Sequence, residues 1–160
     1  TLTQFAGKNP VPNGIVRGYI DLYSNLQVIE STYNSGWDYY TADGGLVSNP
    51  YDMSIFFRSL MNGKIINSNS LKEMLTFKTP KTSDPDFFPI SYGLGIFKIE
   101  TPKGTAYMHS GDAIGYYANM LYFPDDSTTV VYAVNSNYGK IDQFVSTKPA
   151  MEKIISVTKE

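Results

Sequence analysis

The second half of this chain is punctuated by turns, and that spacing narrows what it can fold into. Four β-type runs, "YGLGIFKIE" (92–100), "TAYMH" (105–109), "YYANMLYF" (116–123) and "TTVVYAVN" (128–135), follow one another, with Pro102-Lys103-Gly104 and Pro124-Asp125-Asp126-Ser127 between them. Proline, glycine and aspartate at these positions are turn chemistry, and connections this short join antiparallel neighbours. Residues 105–109, 116–123 and 128–135 are therefore expected to be adjacent strands of one meander. The run Val130-Val131-Tyr132-Ala133-Val134 shows no alternation, which predicts a strand covered on both faces.

Helices flank this meander in the sequence. Asn49 can cap a helix, Pro50 fits its first position, and Asp52 sits in the first turn against the positive end of the dipole. Met53, Phe56, Phe57, Leu60 and Met61 follow at helical spacing, and Gly63 stops the run. A shorter helix is expected from Ser68, with Leu71, Met74 and Leu75 inward, ending before Pro80. In the tail, Ile141, Phe144, Val145, Ile154 and Ile155 are spaced for a helix interrupted or restarted at Pro149. The reading is an α+β fold: an antiparallel sheet of about four or five strands flanked by helices. One domain over 1–160 is expected, loop-rich in 1–47, helical in 48–79, with antiparallel strands in 90–136 and a C-terminal helix in 140–160.

Composition removes several function classes. With 42% hydrophobic residues in 160, the chain is long enough for one core. A net charge of -2 without long runs of either sign leaves no electrostatic footprint for nucleic acid. There is no cysteine and one histidine, so disulfides and thiolate metal sites are excluded and a zinc site lacks ligands. No metal and no cofactor are expected. No stretch approaches the roughly 18 apolar residues of a membrane span, and no signal-peptide pattern is visible. The chain opens at Thr1, so the start of the gene product is expected upstream.

The one histidine stands in an odd place. His109-Ser110-Gly111, followed by Asp112, closes the apolar run "TAYMH", where valines would pack better. A substrate lying along a strand needs a small residue for close approach and donors for a carboxylate or a developing oxyanion. Gly111 supplies the closeness, Ser110 a hydroxyl and His109 an imidazole. The order "ADGGLVSNPYDMSIFFRSLMNGKIINSNSLKEML", "YGLGIF", "HSGDAIGYYANMLYFPDDSTTVVYAVN" resembles the C-terminal half of the serine β-lactamase and penicillin-binding-protein-like family, over roughly residues 15–158. That family includes class C β-lactamases, D-alanyl-D-alanine carboxypeptidases and related esterases. Its third active-site motif is Lys-Thr-Gly or His-Thr/Ser-Gly on the strand lining the active site, and His109-Ser110-Gly111 matches it. The resemblance implies that His109, Ser110, Gly111 and Asp112 line the cleft, with the Asp112 N–H as one of two oxyanion donors.

The family's nucleophile and its activating group, Ser-x-x-Lys followed by Tyr-x-Asn, do not occur here in their proper place. Ser156-Val157-Thr158-Lys159 fits the first pattern only at the extreme end, and Tyr23-Ser24-Asn25 fits the second in what reads as a turn. No catalytic nucleophile or base is therefore assigned. Asp125-Asp126 and Asp84/Asp86 read as solvated turns, and Gly93-Leu94-Gly95 lacks the third glycine of a phosphate cradle. Trp37, Tyr39 and Tyr40 form the best local aromatic cluster, more in keeping with packing or cleft lining than with sugar stacking.

The resemblance implies a parent that hydrolyses a β-lactam, a D-Ala-D-Ala-type peptide or a small ester through a serine acyl-enzyme. This chain would supply the cleft wall and be inactive alone. Its expected partners are a small-molecule or peptide substrate and the missing N-terminal half of the catalytic domain, and an uncovered face is expected to let copies self-associate. An exported or membrane-anchored parent is implied by the resemblance alone. The alternative is a non-catalytic peptidoglycan- or carbohydrate-binding module.

Overall fold

The computed structural model describes residues 2–5, 11, 13–34, 45–82 and 84–159. Short pairs dominate the first part: β1 (Gln4–Phe5), β2 (Tyr19–Ile20), β3 (Ile29–Glu30), a 3-10 turn at Thr32–Asn34, and β4 (Leu46–Val47). Helix α1 (Pro50–Met61) starts as its sequence dictates, the Asn49 side chain accepting from the Asp52 N–H at 3.0 Å. A cap of this kind is worth about 1 kcal/mol. Helix α2 (Ser68–Met74) is capped in the same way by Asn67.

Strands β5 (Ile90–Tyr92), β6 (Phe97–Thr101), β7 (Gly104–Ala113), β8 (Tyr116–Phe123) and β9 (Thr128–Val134) form one antiparallel sheet in chain order. The three strands expected to be neighbours are neighbours. The run 92–100 is not one strand, because Gly93–Ile96 turns between β5 and β6. Gly93 fits there since a Cβ would run into the carbonyl of Met74, which already accepts the Leu94 N–H at 3.0 Å. The strand carrying the histidine also outruns its expected end at 109 and pairs with β8 as far as Ala113. A final short strand, β10 (Ser136–Asn137), runs parallel to β2, which pairs with β3 on its other side.

Both faces of the sheet are covered. Along β8, Tyr122 and Met120 join Phe57 and Leu60 of α1 together with Met74 and Leu75. Leu121 and Phe123 join Met151 and Ile155 of helix α3 (Lys148–Thr158), with Ile99, Ala106, Met108, Val130 and Phe88. Each such side chain, fully buried, stabilises the fold by about 1.5–3 kcal/mol. The tail is less continuous than expected: Gly139–Phe144 is a 3-10 segment, and α3 starts only at Lys148 with Pro149 in its first turn. Periodicity also misplaces two phenylalanines, since Phe56 and Phe144 are exposed. Among the described residues no helix is long and apolar enough to cross a membrane.

Candidate active-site edge

The positions 109–113 are set by the register of two hairpins. β6 begins at Phe97, opposite Met108, so the last five residues of β7 extend beyond it. Both hairpins close through two-residue loops, Pro102–Lys103 between the partners Thr101 and Gly104, and Ile114–Gly115 between Ala113 and Tyr116. In such hairpins the flanking pair is hydrogen-bonded, and every second pair after it. The odd residues of β7, from 107 to 113, therefore bond to β8, and the even ones, 104 to 108, to β6. Ser110 and Asp112 continue the even series past the start of β6. Their N–H and C=O groups face a side on which, among the described residues, no strand is paired.

Side chains confirm that this edge is open. Gly111, Asp112 and Ala113 are exposed, and a Cβ on Gly111 would meet nothing within 4 Å. His109 is half-buried. Its imidazole turns toward the edge, with Nδ1 2.8 Å from the Ser110 carbonyl oxygen and its ring 5.4 Å from that of Phe97. A carbonyl can only accept, so Nδ1 carries a proton, and in the neutral ring the lone pair is on Nε2. The edge thus offers two backbone N–H donors two residues apart, about 7 Å by strand rise, and one imidazole acceptor.

Behind the edge, facing α3, the cross-strand partners of Ser110 and Asp112 are Asn119 and Tyr117. Asn119 is buried; its Nδ2 donates to Tyr117 OH at 3.1 Å and Tyr132 OH at 3.2 Å. Burial pushes the Tyr132 phenol well above its ordinary value, helped by the neighbouring Tyr117. Tyr132 OH in turn donates to the Val145 carbonyl. This polar layer under the edge is made of an amide and two phenols.

A residue the sequence did not single out secures the tip of the hairpin. Asn137, on β10 and 1% exposed, donates through Nδ2 to the carbonyls of Ala113 (2.8 Å) and Tyr116 (2.9 Å). Its Oδ1 accepts the Gly115 N–H at 2.8 Å. In sequence it is one more Asn in a polar stretch, with no signal beyond its place just after a buried strand.

The remaining candidates fall apart. Ser156 Oγ donates to the Lys153 carbonyl, while Lys159 Nζ lies 3.9 Å from the Phe123 ring centroid and pairs with Asp126 at 3.3 Å, so the two do not form a reactive pair. Tyr23-Ser24-Asn25 is a turn in which Asp21 accepts the Ser24 and Asn25 N–H groups. Asp84 and Asp126 accept backbone N–H groups two residues on, as turn residues do. Trp37, Tyr39 and Tyr40 lie outside the described residues. Two shallow recesses, of about 380 and 560 Å³, are lined by other parts of the chain, around Glu152 and around Phe144.

The sequence profile of the Beta-lactamase family matches residues 7–147. The chain belongs to the Beta-lactamase family. Its fold is shared with the D-amino acid amidase from Ochrobactrum anthropi SV3 complexed with L-phenylalanine amide (TM-score 0.76, 20% identity, 98% of this chain and 46% of that one). The penicillin binding protein from Bacillus halodurans matches with TM-score 0.72 at 21% identity, over 97% of this chain and 44% of that one. A D-stereospecific amidohydrolase from Streptomyces sp. matches with TM-score 0.71 at 22% identity, over 98% and 43%. This Beta-lactamase-family chain therefore spans less than half the length of each of these structures.

Proposed function

We propose that this chain is the sheet half of a serine acyl hydrolase, and that His109, Ser110, Gly111 and Asp112 form the wall along which the substrate lies. The open edge of β7 carries the reading. An extended acyl substrate pairs with Ser110 and Asp112 as a further strand would, and Gly111 lets it approach. As a serine supplied by the other half attacks the carbonyl, the oxygen gains charge and the Asp112 N–H stabilises it, a donor of the kind whose loss costs about 3 kcal/mol. His109 Nε2 is an acceptor for a substrate N–H or for a proton from the attacking group. The substrates in reach are β-lactams, D-Ala-D-Ala-type peptides, small esters and, by analogy with the fold relatives, D-amino acid amides.

The test uses two proteins. The 160-residue chain alone is expected to form no adduct with a labelled penicillin and to turn over neither a chromogenic β-lactam nor D-phenylalanine amide. The polypeptide extended upstream to include a Ser-x-x-Lys is expected to do at least one of these. A stoichiometric adduct on the short chain, located by mass spectrometry on Ser156 or any other serine, would overturn the assignment of the nucleophile to the other half. A longer polypeptide inert toward β-lactams, peptides, esters and amides would instead favour a non-catalytic peptidoglycan- or carbohydrate-binding module.

A further inference from the structure

We infer that Asn137 is a positioning residue: its buried amide clamps the turn at the end of β7 and thereby fixes the direction of the Asp112 N–H. The inference rests on the reading of β7 as the substrate wall and assigns a device that reading does not contain. A strand end bonded on one edge only opens more easily than one bonded on both. Residues 109–113 are in that position, yet as a recognition edge they must hold their donors still. Met108 anchors the near end inside the sheet. At the far end the anchor is Asn137.

The chemistry of the clamp is specific to an amide. Two carbonyls, of Ala113 and Tyr116, each take one Nδ2 hydrogen, and the Gly115 N–H takes the Oδ1 lone pair. The Nδ2 atom also lies 3.4 Å from Asp112 Oδ1. Aspartate has the same shape but no donor, and would set a carboxylate against two carbonyl oxygens. The backbone of Asn137 is itself held, its carbonyl accepting the Asp21 N–H at 3.3 Å, while that of Asn135 accepts the Tyr19 N–H at 3.0 Å. From the other side Gly115, at φ +83°, sits where a Cβ would collide with Ser31 and the Tyr19 backbone, and Ser31 Oγ donates to the Ile114 carbonyl at 3.4 Å. The first fifth of the chain and its last strand thus grip one turn together.

The experiment is site-resolved amide hydrogen exchange on the 160-residue chain, wild type against Asn137→Asp. Exchange at Ala113 and Gly115 is expected to accelerate at least tenfold, with shifted Ser110 and Asp112 amide resonances, while Leu121 in the core exchanges at its wild-type rate. Equal acceleration at the turn and at Leu121 would make Asn137 a residue of general stability, and no change at the turn would remove the clamp; either result overturns the inference. Should Asn137→Asp not fold, Ser31→Ala removes another side-chain contact to the turn and is expected to give the same local pattern at smaller amplitude. In the extended polypeptide, Asn137→Asp is expected to lower kcat at least tenfold with KM within threefold. If that wild-type polypeptide is inert, the catalytic reading fails while the exchange result still decides whether the clamp exists.

Discussion

The two halves of β7 are built on opposite principles. Residues 104–108 pair with β6, Tyr107 and Met108 with β8 as well, and this half sends Ala106 and Met108 into the core under α3. Residues 109–113 keep the β8 partner, lose the β6 partner and carry His, Ser, Gly and Asp where the first half carries the core residues Ala106 and Met108. Stability in the first half comes from buried area; geometry in the second comes from hydrogen bonds to Asn137 at the tip. One strand can therefore be packed at one end and open at the other, provided the open end is tied from outside the sheet.

Four changes test this contrast, and the largest effect belongs to the buried half. Met108→Ala removes a side chain 2% exposed and is expected to cost about 2–5 kcal/mol in urea unfolding; a loss below about 1 kcal/mol would place it outside the core. The next test separates the two edges of the open half. Ala113→Pro deletes an N–H that the register directs at β8 and is expected to cost about 1–3 kcal/mol. Asp112→Pro deletes one aimed at the open side, where proline is tolerated, and is expected to leave stability within about 1 kcal/mol. In the extended polypeptide it lowers turnover about 10²–10³-fold. Equal destabilisation by the two prolines would contradict the register. Gly111→Ala, with nothing near its Cβ, is expected to stay within about 0.5 kcal/mol in stability while weakening substrate binding in a direct titration.

The smallest effect is electrostatic and lies in the paired half. Thr105 Oγ1 donates to Glu100 at 2.6 Å and, with Lys98, holds that carboxyl below its ordinary value. A lowered folded-state value stabilises the fold above the unfolded-state value, and the gain is lost as pH falls through the folded one. Thr105→Val is expected to move the Glu100 midpoint up toward the usual glutamate range in an NMR titration. An unmoved midpoint would show that the Thr105 hydroxyl does not set it.

What could be read from the sequence follows the range of the interactions involved. Helix α1 and the turns at 102–104 and 124–127 are specified by adjacent residues, so Asn49, Pro50 and the Pro/Gly/Asp turns reveal them. The split between β5 and β6 was hidden because Tyr92, Ile96 and Phe97 favour strand, and what makes Gly93 a turn is the carbonyl of Met74 in a different element. Phe56 and Phe144 fit a helical stripe, but periodicity cannot say how wide the covering surface is. The triad was visible as three polar or small residues ending an apolar run. Its clamp was not, because Asn137 meets Ala113 and Tyr116 only after a hairpin and a further strand have brought them together.

The parallel pairing of β2 with β10 has a consequence in time. The Asn135 side chain donates to the carbonyl of Arg17, 118 positions earlier, whereas each hairpin of the meander closes within a few residues. Hairpins form in about 1–10 μs, but long-range pairings must first overcome the entropy of closing the intervening loop. On a ribosome adding about 5–20 residues per second, β2 is made roughly 6–24 s before its partner emerges. The pairing of β2 with β10 thus closes a far longer loop than any hairpin of the meander, and it cannot form until β10 has been made.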